Sequence, residues 1–386
     1  MSLQSLVLCS DEKIVRILRR VLSELEISIQ HAPDAEFAVR KLTRQRFEAV
    51  IVDCQDEQAA AQVLRSARSA PCNKHAIAVA IIDGQTALRS AFDLGAHFVL
   101  YKPISMERAK SSFRAARALM KRERRRNMRV PVELPVVLSA SGTLGDIRST
   151  SFDLSEGGMA LKLTQKIRNP GSMQISFTLP GNEYNVQCGA EVAWVNPNRQ
   201  TGIRFVDPSA EAMRQIKDWL KSRSPEMETD DPPAPCKLTD LSLGGCYVEM
   251  PSPFPARTDV VLSMRVGDAE LRASGVVRVM YPEQGMGIEF TRKTMNQRRQ
   301  VEKFINTLAS SAGAVPQLMV EPEGLHEEES ADSKASDNAE NVNLEDALLE
   351  LFQRSHDLTP EAFQSELVKQ RLSSNDNRAA MSTAGD

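Results

Sequence analysis

The chain has 386 residues, with 51 acidic side chains against 48 Lys and Arg and a formal net charge of -3. That length exceeds one ordinary core, so two or three domains are expected. The balanced charge excludes a chain basic throughout, so any electrostatic footprint must be local.

The apolar runs are strand-length, well short of the roughly 20 residues that a membrane span needs. The N-terminus, MSLQSLVLCSDEK, has no basic leader and turns acidic at once, so no secretory signal is expected. Leu8 also stands where a lipoprotein box would need a small residue before the cysteine. The cysteines, Cys9, Cys54, Cys72, Cys188, Cys236 and Cys246, include no CxxC pair. That pattern fits reduced, mostly buried thiols in a cytoplasm rather than a disulfide frame or a zinc site.

Residues 1–120 alternate strand and helix. LVLC, AVIVD (Ala49 to Asp53), IAVAII (Ile77 to Ile82) and FVLY (Phe98 to Tyr101) are short continuous apolar runs, as in strands buried on both faces of a parallel sheet. Ile14, Ile17, Leu18, Val21, Leu22 and Leu25 keep helical spacing between the first two. This predicts a doubly wound α/β domain. Its last helix, from about Glu107, leads into a basic run in which six of the nine residues Lys121 to Arg129 are Lys or Arg.

From Val130 the pattern becomes short alternating strands (VVLSA, SFDLS, MALKL, MQISFTL, VQCGAEVAWV, GIRFV) with Gly, Pro and Asn turns, which predicts an antiparallel barrel or sandwich. A helix follows with Met213, Ile216 and Leu220 on one side. The pattern then repeats: FDLSEGGMAL is echoed by TDLSLGGCYV and GIRF by GIEF, and the second copy also ends in a helix, with Val301, Phe304, Ile305 and Leu308. A spacing this long is a duplicated domain, not a solenoid. Residues 311–342, rich in Ala, Ser, Pro and Glu, read as a disordered acidic linker. In the tail, 343–386, Leu344, Leu348, Leu351 and Phe352 form a helical stripe. Thr359-Pro360 there offers an N-cap with Pro at the first helical position. The tail is either a docking element or a loosely ordered end.

The residues with chemistry lie around the first repeat. In DLSEGG, Asp153 and Ser155 offer acceptors and a hydroxyl, and Gly157 and Gly158 allow a positive φ and a close backbone approach. Alone this is a tight turn. Upstream, Arg125 and Arg129 offer guanidinium forks, which bind phosphate and the guanine edge and stack on purines. Two arginines, a carboxylate, a hydroxyl and bare backbone suit a guanine nucleotide carrying phosphates.

RRNMR followed by DLSEGG resembles the PilZ domain, with its RxxxR and [DN]xSxxG pattern, over residues from about Arg124 to Arg223. The resemblance implies a small β-barrel with a C-terminal helix that binds cyclic di-GMP through Arg125, Arg129, Asp153, Ser155 and Gly158. The second copy resembles PilZ at Asp240, Ser242 and Gly245. Its approach segment, however, is acidic (Glu226, Glu228, Asp230, Asp231), has no arginine pair and leaves little room for a first strand. It is read as a non-binding module for packing or dimerisation.

The N-terminal region resembles a response-regulator receiver: Asp53 ends its third strand at the phospho-acceptor position, Asp11 follows the first strand, and Lys102-Pro103 follows the last. The resemblance implies Mg²⁺ at Asp11 and Asp53, but Ser10 replaces one of the two usual acids. Asp83 stands where the family has Ser or Thr, and its carboxylate would repel a phosphoryl group by about 4 kcal/mol at 4 Å and an effective dielectric near 20. Phosphorylation at Asp53 thus competes with a degenerate receiver kept as an interaction surface.

There is no GxxxxGK[ST], GxGxxG or HExxH, and Ser155 is in no GxSxG elbow. The histidines, His31, His75, His97, His326 and His356, form no ligand-spaced cluster. No catalytic output is expected. The organisation read is therefore a receiver-like domain (1–120), a PilZ domain (121–223), a degenerate PilZ-like domain (224–310), the linker and the helical tail. The expected function is that of a bacterial cytoplasmic signalling adaptor, binding cyclic di-GMP and relaying it by domain reorientation or contact with signalling proteins, a homodimer among them. The competing readings are a phosphorelay output or scaffold without nucleotide binding, and nucleic-acid binding through 121–129, which lacks interleaved aromatics.

Overall fold

Parallel strands buried on both faces need helices above and below, and the N-terminal region supplies them. In the computed structural model its strands are β1 (Leu3–Leu8), β2 (Ile27–Ala32), β3 (Ala49–Asp53), β4 (Ile77–Asp83) and β5 (Phe98–Lys102), all parallel in the order β2-β1-β3-β4-β5. Helices α1 (Glu12–Glu24), α2 (Ala35–Leu42), α3 (Glu57–Ser69), α4 (Leu88–Asp93) and α5 (Met106–Arg126) alternate with them. Asp11, Asp34 and Asp56 cap α1, α2 and α3, each accepting from a backbone N–H of the first turn. The structure describes residues 2–84, 88–140, 146–162, 173–181, 184–196, 200–223, 230–291, 295–310, 315–325, 346–354, 358 and 361–370.

Strand β2 has no counterpart among the four strands expected from apolar runs. It lies at the sheet edge, where Ser28, Gln30 and His31 remain partly or fully accessible, so it carries no continuous apolar signal. The central strand β3 is buried at every position.

The first barrel comprises β6 (Val130–Pro131), β7 (Pro135–Ala140), β8 (Ile147–Ser155), β9 (Gly158–Lys162), β10 (Met173–Thr178), β11 (Asn185–Val195) and β12 (Gln200–Val206). The order β6-β8-β7-β10-β11-β12-β9 closes through the β8–β9 pairing, leaving β6 as a flap on β8. Helix α6 (Ala210–Arg223) adds Ala212, Ile216, Trp219 and Leu220 to the barrel core. Ile216 and Leu220 match the expected stripe, whereas Ala212 rather than Met213 is fully buried.

The second copy builds the same ring with its strands in a different chain order. Its elements are β13 (Ala234–Leu241), β14 (Gly245–Glu249), β15 (Thr258–Val266), β16 (Ala269–Tyr281), β17 (Gly285–Phe290), α7 (Met295–Ser310) and β18 (Gln317–Leu325). They close as β13-β14-β17-β16-β15-β18. In the first ring β7 runs antiparallel between β8 and β10; in the second, β18 runs antiparallel between β13 and β15. The strand that comes first in copy one therefore comes last in copy two.

This corrects the expected disordered linker at 311–342, because residues 317–325 are a barrel strand. The acidic composition of the whole segment hides a local alternation in which Leu318 and Val320 point inward and are 2% and 0% exposed. It also explains the missing room for a first strand: that stave comes from the other end of the copy. Residues 326–342, with His326, and the Thr359-Pro360 cap, His356 and Leu344 lie outside the described residues.

The chain divides into two compact units. One is residues 123–229; the other joins residues 2–122 to 230–386. Within the latter, the receiver-like sheet and the second barrel share one apolar cluster, to which α5 contributes Phe113, Ala116, Leu119 and Met120. Buried Lys121 and Arg122 meet Asp231 at 2.8 Å and Glu323 at 2.6 Å, and Ser111 Oγ shares a 2.8 Å hydrogen bond with Ser252 Oγ. Charges held so far from water are stabilised only while paired.

If β18 closes the second barrel, Val320→Asp must bury a charge in that ring and cost on the order of 3 kcal/mol or more. Thermal unfolding checks it: the second barrel should melt earlier, and a variant with an unchanged midpoint would refute the assignment.

Candidate functional site

The site begins with a register. Val130 pairs with Leu154 and Pro131 with Asp153, so the two-residue strand β6 brings the preceding Arg129 back against the end of β8. Val132 N donates to Phe152 O, Leu134 N donates to Ser151 Oγ, and Ser151 Oγ donates to Val132 O, which clips the entry segment along β8. Arg129 Nη1 then lies 3.0 Å from Asp153 Oδ1, with the arginine side chain 47% exposed. Asp153 Oδ1 also accepts from Ala160 N at 3.1 Å, so the carboxylate is oriented from two sides. Arg125 stands in the last turn of α5, where its carbonyl accepts from Met128 N.

Ser155 and Gly158 shape the turn. The Ser155 hydroxyl is buried and donates to Gly158 O at 2.9 Å, closing the turn. Neither Gly157 nor Gly158 has a positive φ; a Cβ on Gly158 would instead collide with the backbone carbonyl of Ile203 on β12. The expectation of close approach matches this geometry, and the expectation of left-handed backbone does not. The glycine is needed because two strands converge there.

Residues directly opposite each other in a ladder share a face. Asp153 faces Ala160, Ala160 faces Gly202, and Gly202 faces Trp194, which gives a row across four strands. Met159 and Leu161 belong to the barrel core, so this alternate row lies on the outer surface. The Trp194 indole lies directly over Gly202, where any Cβ would overlap it, and the side chain is 40% exposed. The row carries a guanidinium–carboxylate pair at one end, the small residues Ala160 and Gly202 in the middle, and at the other end an indole that reaches over Gly202. Such a surface can hold an anion and a flat ring together. Trp194 was missed in the sequence; its only signal there is a large aromatic near a strand end beside a glycine-bearing strand.

The second copy repeats the turn but not the residues of the row. Ser242 Oγ donates to Gly245 O at 3.2 Å, and a Cβ on Gly245 would meet the carbonyl of Ile288. Its row reads Asp240, Tyr247, Gly287, Val279. Tyr247 stands where the first barrel has Ala160 and is wholly buried. Asp231 faces Lys121 rather than solvent, while Glu226 and Glu228 lie outside the described residues.

In the receiver-like sheet, the chain leaves β1 and β3 in opposite directions, and crevices form at the carboxyl ends of such strands. Asp53 sits there, 5% exposed, with Lys102 Nζ at 2.8 Å and Gln55 N at 3.1 Å on Oδ1, and Cys9 Sγ at 3.4 Å from Oδ2. Asp11 spends its Oδ1 on Lys13 N and Ile14 N as the α1 cap. Asp83 ends β4 exposed, opposite Lys102 in register. Among the described residues no three acids, cysteines or histidines converge to hold a metal. With Ser10 in place of an acid and Asp11 committed to the helix, these residues as placed do not fit the Mg²⁺ site expected at Asp11 and Asp53.

The family model for the PilZ domain matches residues 123–222 and 221–307. The chain carries two PilZ domains behind a receiver-like region, the organisation of a signalling adaptor. No curated protein matches the chain. Among solved structures, the receiver domain of a sensor histidine kinase from Pseudomonas aeruginosa, solved with magnesium in its active-site cleft, is 18% identical. That match covers 31% of this chain and 98% of that one, with a TM-score of 0.28. A chemotaxis response regulator of Vibrio cholerae is 16% identical over 30% of this chain and 99% of its own, TM-score 0.28. The PilZ domain of CeSA from a cellulose-synthesizing bacterium is 18% identical over 25% of this chain and 97% of its own, TM-score 0.21.

Burial, then the Asp53 charge, pushes the Cys9 and Cys54 thiols up from 9.0 to about 11. Both are neutral in the folded protein, so exposed Cys72 should react first with a maleimide at neutral pH. The unfolded thiols ionise near 9.0 and the folded ones near 11, so their stabilisation is whole below pH 9.0 and is lost as pH rises towards 11. Denaturant titrations across that window read the loss, and equal labelling rates at Cys9 and Cys72 would contradict the burial.

Proposed function

We propose that this chain is a bacterial cytoplasmic adaptor that binds cyclic di-GMP on the outer row of its first PilZ domain, from Arg129 and Asp153 towards Trp194. What carries the reading is the β6–β8 register, because it sets the exposed Arg129 guanidinium against Asp153. The ligand is a dianion with two guanines. Arg129 and Arg125 receive its phosphates and purine faces, Asp153 orients the guanidinium and accepts from guanine N–H groups, and Ser155 and Gly158 hold the turn in shape. Trp194 supplies a stacking face at the far end of the row.

Bound phosphate competes with Asp153 for Arg129, so capture of the nucleotide rearranges the segment that leads from α5 into the barrel. That segment links the two units in sequence, and its ordering is the signal offered to partner proteins or to a second copy. The receiver-like region serves as an interaction surface: both Asp53 oxygens are engaged within the protein, and Asp11 is occupied as a cap. No helix among the described residues is long and apolar enough to cross a membrane. The basic run does not act as a nucleic-acid track, since Lys121 and Arg122 are buried against Asp231 and Glu323.

Calorimetric titration with cyclic di-GMP, with GTP and cyclic GMP as controls, tests the site. Arg129→Ala and Arg125→Ala should each lose about 2 kcal/mol or more of binding, near 30-fold, because a charged partner is removed from a phosphate. Trp194→Ala should lose about 1–3 kcal/mol if a base stacks there. The fold, read by circular dichroism, should be unchanged in all three, and unaltered affinity in both arginine variants would reject the site.

A further inference from the structure

The second barrel is a complete ring without the chain's C-terminal segment. Its strands close on one another, and its interior is filled by its own side chains, among them Val248, Leu262, Ile288 and Val320. Yet its outer row is covered. Helix α8 (Ala347–Arg354) and the helical residues 361–370 lie on it and form a separate apolar cluster, in which Leu348, Leu351, Phe352, Phe363 and Leu367 meet Tyr247, Val279 and Tyr281. Phe363 is the centre of this contact, with ring centroids 5.5 Å from Tyr247 and 4.9 Å from Tyr281.

The covering is placed on the same ladder positions that carry the row from Asp153 to Trp194 in the first barrel. Asp346 Oδ2 accepts from Gly244 N of the DLSLGG turn at 3.0 Å, while its Oδ1 accepts from Leu348 N as the α8 cap. The Phe352 ring lies over Gly287 as the Trp194 ring lies over Gly202. Val279 occupies the ladder position of Trp194, so the aromatic that one barrel supplies from its own strand reaches the other from the tail. Gln364 Nε2 donates to Tyr247 Oη at 3.0 Å.

These contacts join tail side chains to the outside of the ring, and among the described residues the tail contributes no strand to it. Helices of eight to ten residues are not stable alone in water, so the two tail helices are helical while docked and lose that structure when released. We propose that the outer face of the second PilZ domain is a helix receptor, occupied by the chain's own residues 346–354 and 361–370 as a releasable internal ligand. The turn that holds a carboxylate against Arg129 in one copy presents a backbone N–H to an aspartate in the other. This assignment stands apart from nucleotide binding at the first barrel.

The test uses the full chain. Hydrogen exchange on the wild type should find residues 347–354 and 361–370 protected. Phe363→Asp should abolish protection of both helices together while β13–β18 stay protected. A labelled peptide of residues 346–370 should then bind the Phe363→Asp protein at least about tenfold tighter than the wild type, whose face is filled. The same peptide carrying Asp346→Ala should bind more weakly. The proposal is overturned if tail protection survives the substitution, if the undocked protein does not take the peptide, or if the barrel strands lose protection along with the tail, which would make the tail part of the barrel's fold.

Discussion

In both barrels two neighbouring strands approach so closely that one backbone position has no room for a side chain. Gly158 lies against the carbonyl of Ile203, and Gly245 against that of Ile288. A serine three residues upstream bonds back to each glycine's carbonyl and holds the turn that makes the approach. Everything on the outer row follows from this convergence. The acid before the serine is carried to the surface, opposite a residue of the next strand, with a second glycine beyond it. What differs between the copies is what stands on that frame: Ala160 and an exposed indole in one, Tyr247 and two borrowed phenylalanines in the other.

Charge is divided as sharply as shape. The basic run from Lys121 to Arg129 reads as one feature, but the boundary between the two units passes through it. Lys121 and Arg122 are spent on Asp231 and Glu323. Arg129, only seven residues beyond Arg122, faces solvent and a single carboxylate. Local density of one charge sign is therefore a poor guide to what that charge contacts, since two of these cations are core ion-pair partners.

The legible parts of the fold were those written in local periodicity: the buried central strands, the amphipathic α1, and the duplicated turn with its arginines upstream. The illegible parts depend on partners distant in the chain. β2 is an edge strand with accessible polar residues, so it lacked the apolar run that marked its neighbours. β18 is too short to alter the composition of the acidic stretch around it, and its inward residues matter only because β13 and β15 lie on either side. Trp194 gains its role from Gly202 across a bulged ladder. Of the two reasons read for Gly158 only the close approach holds: it is set by another strand, whereas a left-handed φ would have been local. The helical stripe at Leu348, Leu351 and Phe352 was visible, but not the surface it covers.

The permuted order of the second ring bears on how the molecule is made. Translation proceeds from the amino end, so the first barrel and its helix are complete once Arg223 has emerged, and that module can fold while synthesis continues. The second ring lacks its last stave until Leu325 is out, and Arg122 waits on the same stave for Glu323. The receiver-like half is thus among the earliest segments to leave the ribosome and among the last to acquire its neighbours, which leaves the face of α5 bare throughout the intervening elongation.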